Sequence, residues 1–309
     1  MTRPAHSNKP PMRGGVSASC VALPTGPWQH TVEFLAERMP GVALEEWLRR
    51  MAQGWVLAEN GKPLAPNSAY QPNTRVYYYR DSGKEPAIPF QAHILFQDDY
   101  LLVADKPHFL PVTPGGRFVR ETLLVRLKEQ LGIESLSPLH RLDRETAGLV
   151  LFSIRTQDRS AYQLLFRQQS VRKEYEAVAP WRPDLSLPYE HASRMKTAAQ
   201  FFRQQEITGH PNSLTRIELI ESGASLARYR LVPRSGRTHQ LRVHMNSLGI
   251  PILGDQLYPE VMHPQHSGAA EDYTHPLQLL ARTIAFTDPV TGQERTFSST
   301  RVLTSAGNL

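Results

Sequence analysis

The 309 residues leave room for one large domain or two unequal ones with ample core. A formal charge of +6 favours an anionic partner, nucleic acid first. The lone cysteine, Cys20, excludes a disulfide within the chain and points to a reducing compartment, and no apolar run approaches the length of a membrane span.

Residues 1–26 are rich in Pro, Gly and Ser and carry Arg3, Lys9 and Arg13. They read as a disordered basic leader, without the apolar segment of a secretory signal, so the cytoplasm is the expected location. Residues 27–88 form a small unit. Val32, Leu35, Ala36 and Met39 fall at helical spacing, closed by Pro40-Gly41. A second helix is predicted over 44–53, with Leu48 and Met51 inward, Arg49 and Arg50 outward, and Gly54 as its stop. Val56-Leu57, an Asn60-Gly61 turn and a strand over 76–79 close the unit.

Residues 89–309 make the larger domain, after a polar linker over 81–92. Two strands flank Gln97-Asp98-Asp99, and Leu123, Leu124, Leu127 and Leu131 mark a helix over 122–131. The stretch His140-Arg141-Leu142-Asp143-Arg144-Glu145-Thr146-Ala147-Gly148-Leu149 then sets a carboxylate between two arginines and runs into a buried strand over 148–154. Neighbouring cations favour an ionised carboxylate, and a core strand beside it holds it rigid, as a nucleophilic or electrostatic carboxylate requires. An ion cluster on a surface turn fits the same spacing. Further on, a helix is predicted over 157–169, strands over 173–179, 215–221 and 226–232, a helix over 238–248 and a last strand over 279–286. Between Ser222 and Gly254 stand Arg228, Arg230, Arg234, Arg237 and Arg242 with no acidic residue, which reads as an anion-facing surface. His263, His266 and His275 fit no metal-ligand spacing.

The block 140–149 closely resembles the active-site signature of the RluA-type pseudouridine synthases, which isomerise uridine in structured RNA. Lys173-Glu174-Tyr175-Glu176-Ala177 resembles that family's tyrosine strand, and Pro233-Arg234-Ser235-Gly236-Arg237-Thr238-His239-Gln240-Leu241-Arg242-Val243-His244 its arginine–leucine block. The likeness spans roughly residues 90–300; Ala147 stands where serine is commoner and Pro180 near a usual glycine. The resemblance implies an α+β fold, a mainly antiparallel mixed sheet with peripheral helices, preceded by a small S-four-type RNA-binding domain. It implies Asp143 as catalytic carboxylate, either attacking the sugar carbon, as in retaining glycosidases, or assisting loss of a sugar proton. Tyr175 is expected to stack on the uracil and Arg237 to pair with Asp143. Arg141 fills the gap left by the flipped base, Leu241 packs beneath it, and His140, Arg144 and Arg242 complete the RNA contacts. Isomerisation needs no cofactor and no metal. The expected partner is ribosomal or transfer RNA, bound by a monomer. A silent RNA-binding protein on the same fold, or a metal-dependent phosphodiesterase built on His140 and Asp143, are the alternatives.

Overall fold

The computed structural model describes residues 10–80, 85–200, 202–261 and 272–303. The chain divides into two compact units. The smaller runs to Glu85 and takes in Gly116–Arg120. It holds β1 (Ser19–Ala22), α1 (Thr31–Arg38), α2 (Leu44–Ala52), β2 (Val56–Ala58) and β3 (Arg75–Tyr78), with β3 pairing antiparallel to both other strands. Strand β1 falls within the predicted disordered leader. Cys20 pairs with Tyr77 and Val21 with Val76, and Leu23 is buried in the same core. Two apolar residues suffice there because β3 supplies the backbone hydrogen bonds. The first nine residues lie outside the described ones.

Helix α2 turns a different face inward than predicted. Trp47 and Met51, one turn apart, are buried, while Leu48 is exposed. Arg50 is buried as well. Its guanidinium lies 5.2 Å from the Trp47 ring centroid, and its Nε donates to Glu46 at 2.6 Å. Burying Trp47 outweighs burying Leu48, and the Arg50 stem lies along the indole with its charge paired.

The larger unit comprises Pro86–Gly115 and Glu121 onward. In chain order it contains β4 (His93–Gln97), β5 (Leu101–Lys106), α3 (Leu123–Leu131), β6 (Ser137–Pro138), β7 (Ala147–Ser153), α4 (Arg159–Arg167) and β8 (Arg172–Pro180). There follow β9 (Tyr189–Thr197), β10 (Gln204–Ile207), β11 (Ser213–Ser222), β12 (Leu226–Pro233), α5 (Gln240–Ser247), β13 (Leu279–Thr287) and β14 (Glu294–Ser298). The strands form one 11-stranded sheet, ordered β10-β9-β11-β12-β8-β13-β7-β5-β4, with β14 on β13 and β6 on β7. Among the described residues every pairing is antiparallel except β7 with β13, so the sheet is mixed and mainly antiparallel, as expected. Strands β6, β9, β10 and β14 are additions to the predicted elements, and 279–286 is not the last strand. The second half of the predicted linker is tied down: Ile88 is buried, and Arg126 donates to the Ile88 and Phe90 carbonyls.

The parallel junction positions the site. At its start Gly148 has φ +112°, and a Cβ there would lie 2.3 Å from the Ala281 carbonyl oxygen. Only glycine lets β7 and β13 approach this closely. Gly148→Ala is therefore expected to lower stability by about 2 kcal/mol or more through strain and displaced pairing, read as a clear drop in Tm. An unchanged Tm would show that the junction relaxes at no cost.

Candidate active site

The loop that leads into β7 carries Asp143, closed by a Thr146 N–H bond to the Asp143 carbonyl at 3.2 Å. The loop is held from below by Lys106, which is fully buried. Lys106 Nζ donates to the carbonyls of Pro107 at 3.0 Å, Leu110 at 2.8 Å and Arg144 at 3.0 Å. Burial pulls the Lys106 ammonium down to about 7, against the opposing charges of Glu145 and Asp143. Three acceptors for three N–H groups favour the charged form.

Opposite the loop stands α5, buried along Gln240–Met245. Arg242 lies inside it with its fork closed on Asp255: Nε to Oδ2 at 2.8 Å and Nη2 to Oδ1 at 2.6 Å. Asp255 also accepts from the backbone N–H groups of Leu257 at 2.8 Å and Tyr258 at 3.1 Å. Among the described residues Nη1 of Arg242 is buried without a hydrogen-bond partner, and it points at two carboxylates, 3.6 Å from Asp143 Oδ2 and 3.9 Å from Glu145 Oε2. Burial works against the Arg242 charge, but the Asp255 hydrogen bonds and the surrounding carboxylates raise its pKa above the ordinary value. His244 Nε2 anchors the same helix from behind, 3.1 Å from both Ser193 Oγ and Ser213 Oγ.

These elements enclose a cleft of about 390 Å³. Asp143, Tyr175, His239, Leu241 and Arg242 line its interior, and Arg141, Arg167, Lys173, Arg234 and Arg237 bring basic side chains to its walls. Tyr175, on β8, packs on the apolar cluster that holds Leu241 and Leu279. Burial, with the Asp143 charge adding to it, raises the Tyr175 pKa, so the phenol stays neutral. The cleft thus offers a carboxylate with an aimed guanidinium, a neutral phenol and an apolar floor. Such a set can stabilise a cationic sugar while a flat base packs alongside.

The sequence pattern of the RNA pseudouridylate synthase family matches residues 100–247. An uncharacterized RNA pseudouridine synthase of Synechocystis is 34% identical over 245 residues, which cover 74% of this chain and 78% of that protein. The chain belongs to the RNA pseudouridine synthase family. The dual-specificity RNA pseudouridine synthase RluA of Haemophilus influenzae is 31% identical, over 67% of this chain and 91% of that one, so this synthase is RluA-type. Two solved structures share the fold: human RNA pseudouridylate synthase domain containing 1, at TM-score 0.56 and 21% identity over 71% of this chain and 86% of that one, and domain containing 4, at 0.52 and 25% over 68% and 88%.

Within this synthase the predicted residues separate into two groups. Asp143, Tyr175, Leu241, Arg242, His140 and Arg141 all line the cleft. Arg237 does so too, but exposed at the rim. Its Nε donates to the Asn212 carbonyl at 3.3 Å, and the cation beside Asp143 is Arg242. This corrects the expected pairing, because Arg237 precedes α5 while Arg242 lies one turn inside it. Arg144 faces away, donating to the Phe109 carbonyl at 3.1 Å and standing 3.7 Å from Glu145. Neither arginine that flanks Asp143 in sequence is its ion-pair partner.

His140 is a structural group: its Nε2 accepts the Leu151 N–H at 3.1 Å and its ring stacks on Phe166. Burial, with the Lys173 charge adding to it, depresses the His140 pKa to about 3, so the ring is neutral. His239 stands beside Asp143. Its Nε2 lies 3.8 Å from Asp143 Oδ2, its Nδ1 is 3.1 Å from the Tyr258 hydroxyl, and its backbone has φ +55°. A non-glycine residue in that region marks a constrained position. Burial lowers the His239 pKa despite the opposing Asp143 charge. The anion-facing reading of Arg228 and Arg230 also changes. They lie 3.3 Å from Glu221 and Glu218 respectively, acids that the adjacent strand β11 brings across. His263 and His266 lie outside the described residues; His275 is exposed.

Proposed function

We propose that this synthase isomerises uridines in ribosomal or transfer RNA, with Asp143 as the catalytic carboxylate reached by a base flipped out of its stack. The observation that carries this is the pairing across the cleft: an Asp143 carboxylate met by the unsatisfied Nη1 of a buried, Asp255-clamped Arg242. Breaking the glycosidic bond leaves electron deficiency on the sugar. The Asp143 carboxylate answers it, either by bonding to the sugar carbon or by assisting loss of a sugar proton. The uracil then rotates and rejoins through carbon 5, whose proton is released. Atoms and electrons balance without an oxidant or a cofactor.

In this reading Arg242, 3.6 Å away, aims Asp143, and Tyr175 packs on the uracil above the Leu241 floor. Arg141, exposed at the mouth, takes the place of the flipped base in the RNA stack. Extrusion costs a few kcal/mol in a duplex and less in a loop. The smaller unit, with two helices set between its first strand and its other two, is read as an S-four-type RNA-binding domain. Among relatives, the Haemophilus influenzae protein is called dual-specificity, and a 33% identical Haemophilus ducreyi protein is called a tRNA pseudouridine synthase, matched over 67% of this chain and 89% of that one. One cysteine in the chain suits the reducing cytoplasm where those RNAs reside.

The test is release of tritium from carbon 5 of uracil by the purified full chain, on total RNA from a strain lacking the enzyme, in EDTA buffer. Sustained release is expected from the ribosomal or the transfer fraction. No release from either would overturn the reading.

A further inference from the structure

The two faces of β8 carry charge differently. Arg172, Glu174 and Glu176 share one face with Arg228, Arg230 and Arg282 of the neighbouring strands. There each arginine meets a carboxylate: Arg172 bonds Glu174, Arg282 Nε reaches Glu176 at 2.7 Å, and Arg228 and Arg230 meet Glu221 and Glu218. Lys173 and Tyr175 point the other way, into the cleft. Lys173 is half-buried in its wall. Among the described residues its one hydrogen bond is a long one, Nζ to the Ser235 carbonyl at 3.4 Å, and it forms no ion pair.

An ammonium carries three N–H donors. Lys173 keeps two of them, and a whole charge, without a partner in a partly desolvated wall. A group held this way costs stability unless an anion reaches it. The neighbouring loop does not crowd it: even a Cβ at Gly236 would meet Nζ only at an ordinary contact distance of 3.7 Å. Arg234 and Arg237, exposed on that same loop, add positive charge to the rim. Uracil and ribose are neutral, so the anions RNA brings to this cleft are its phosphates.

We infer that Lys173 binds a phosphate of the extruded nucleotide and so fixes how deep its sugar sits beside Asp143. This rests on the cleft being the RNA site. Lys173 is then a positioning residue for the reaction and not part of the bond-breaking step.

The test compares wild type with Lys173→Gln, Lys173→Arg and Lys173→Met, using bulk transfer RNA and total ribosomal RNA as probes. Binding is measured between about 50 and 200 mM salt, where one lost phosphate contact makes the slope of log affinity against log salt shallower by about 0.7 to 0.9. The glutamine variant is expected to show that shallower slope and a KM raised about tenfold, with kcat changed much less. The arginine variant should keep the wild-type slope. The methionine variant should match or exceed the wild-type Tm while binding RNA as weakly as the glutamine variant. Unchanged binding in the glutamine variant would overturn the inference. So would weaker binding with the wild-type slope, which would place Lys173 on a neutral group such as a uracil carbonyl. A large drop in Tm in every variant would make Lys173 structural and overturn it as well. Absence of pseudouridine formation by the wild type would instead strike the proposed function, while the salt slopes still decide about Lys173.

Discussion

Replacing Asp143 by asparagine is expected to abolish pseudouridine formation, lowering the single-turnover rate by about 10³-fold or more, while RNA affinity stays near wild type. Asparagine has nearly the same size, so the loop before β7 keeps its Lys106 anchor, which grips backbone carbonyls and not the Asp143 side chain. The carboxamide has neither the charge to stabilise an electron-deficient sugar nor a nucleophilic carboxylate oxygen to bond to it, so both routes to the rotated uracil fail together. The structure also sets the stability result. Arg242 stays clamped by Asp255 when Asp143 is neutralised, and its 3.6 Å approach to Asp143 exceeds hydrogen-bond length. The partly exposed Asp143 should therefore contribute about 1 kcal/mol or less to folding. Tritium release, Tm and RNA binding measured on one preparation check all three expectations. Sustained release by a folded Asp143→Asn protein would remove Asp143 from the mechanism.

How far the sequence carried the reading depends on whether each feature leaves a linear trace. The strand after Asp143 did, because seven successive buried residues from Ala147 to Ser153 form an apolar run that ends a polar motif. Helix α3 did, with Thr122 as its cap and Gly132 in the left-handed region at its end. Asp143, Tyr175 and Leu241 stand in separate sequence blocks and line one cleft. Strand β9 left almost no trace, since only Met195 of its nine residues is fully buried. The Arg228 and Arg230 partners lie on other strands, so an acid-free stretch of chain became a neutralised patch of sheet. The choice between Arg237 and Arg242 was hidden for a different reason. Helix α5 is buried continuously from Gln240 to Met245, so helical spacing cannot say which arginine turns inward. The available signal was Asp255, an acid following an apolar segment with a helix arginine as its natural partner.

That choice leads to the second large effect. Arg242→Ala is expected to destabilise the larger unit by about 3–5 kcal/mol, because it strands the buried Asp255 carboxylate. The Leu257 and Tyr258 N–H groups would still bond Asp255, which places the expected loss toward the lower end of that range. Activity lost in that variant would be ambiguous, so the decisive substitution is Arg242→Lys. Lysine keeps the positive charge but cannot close a fork on Asp255 and still present a third nitrogen to Asp143. The lysine variant should fold and bind RNA, with single-turnover rates reduced about 10²-fold, the scale of losing one oriented charge in a catalytic site. Arg237→Ala is the control. Its guanidinium sits at the exposed rim on a carbonyl, so its loss should raise KM a few-fold and leave kcat nearly intact. Full turnover in Arg242→Lys together with a collapsed kcat in Arg237→Ala would reverse the assignment, making the rim arginine the one that swings onto Asp143 when RNA binds.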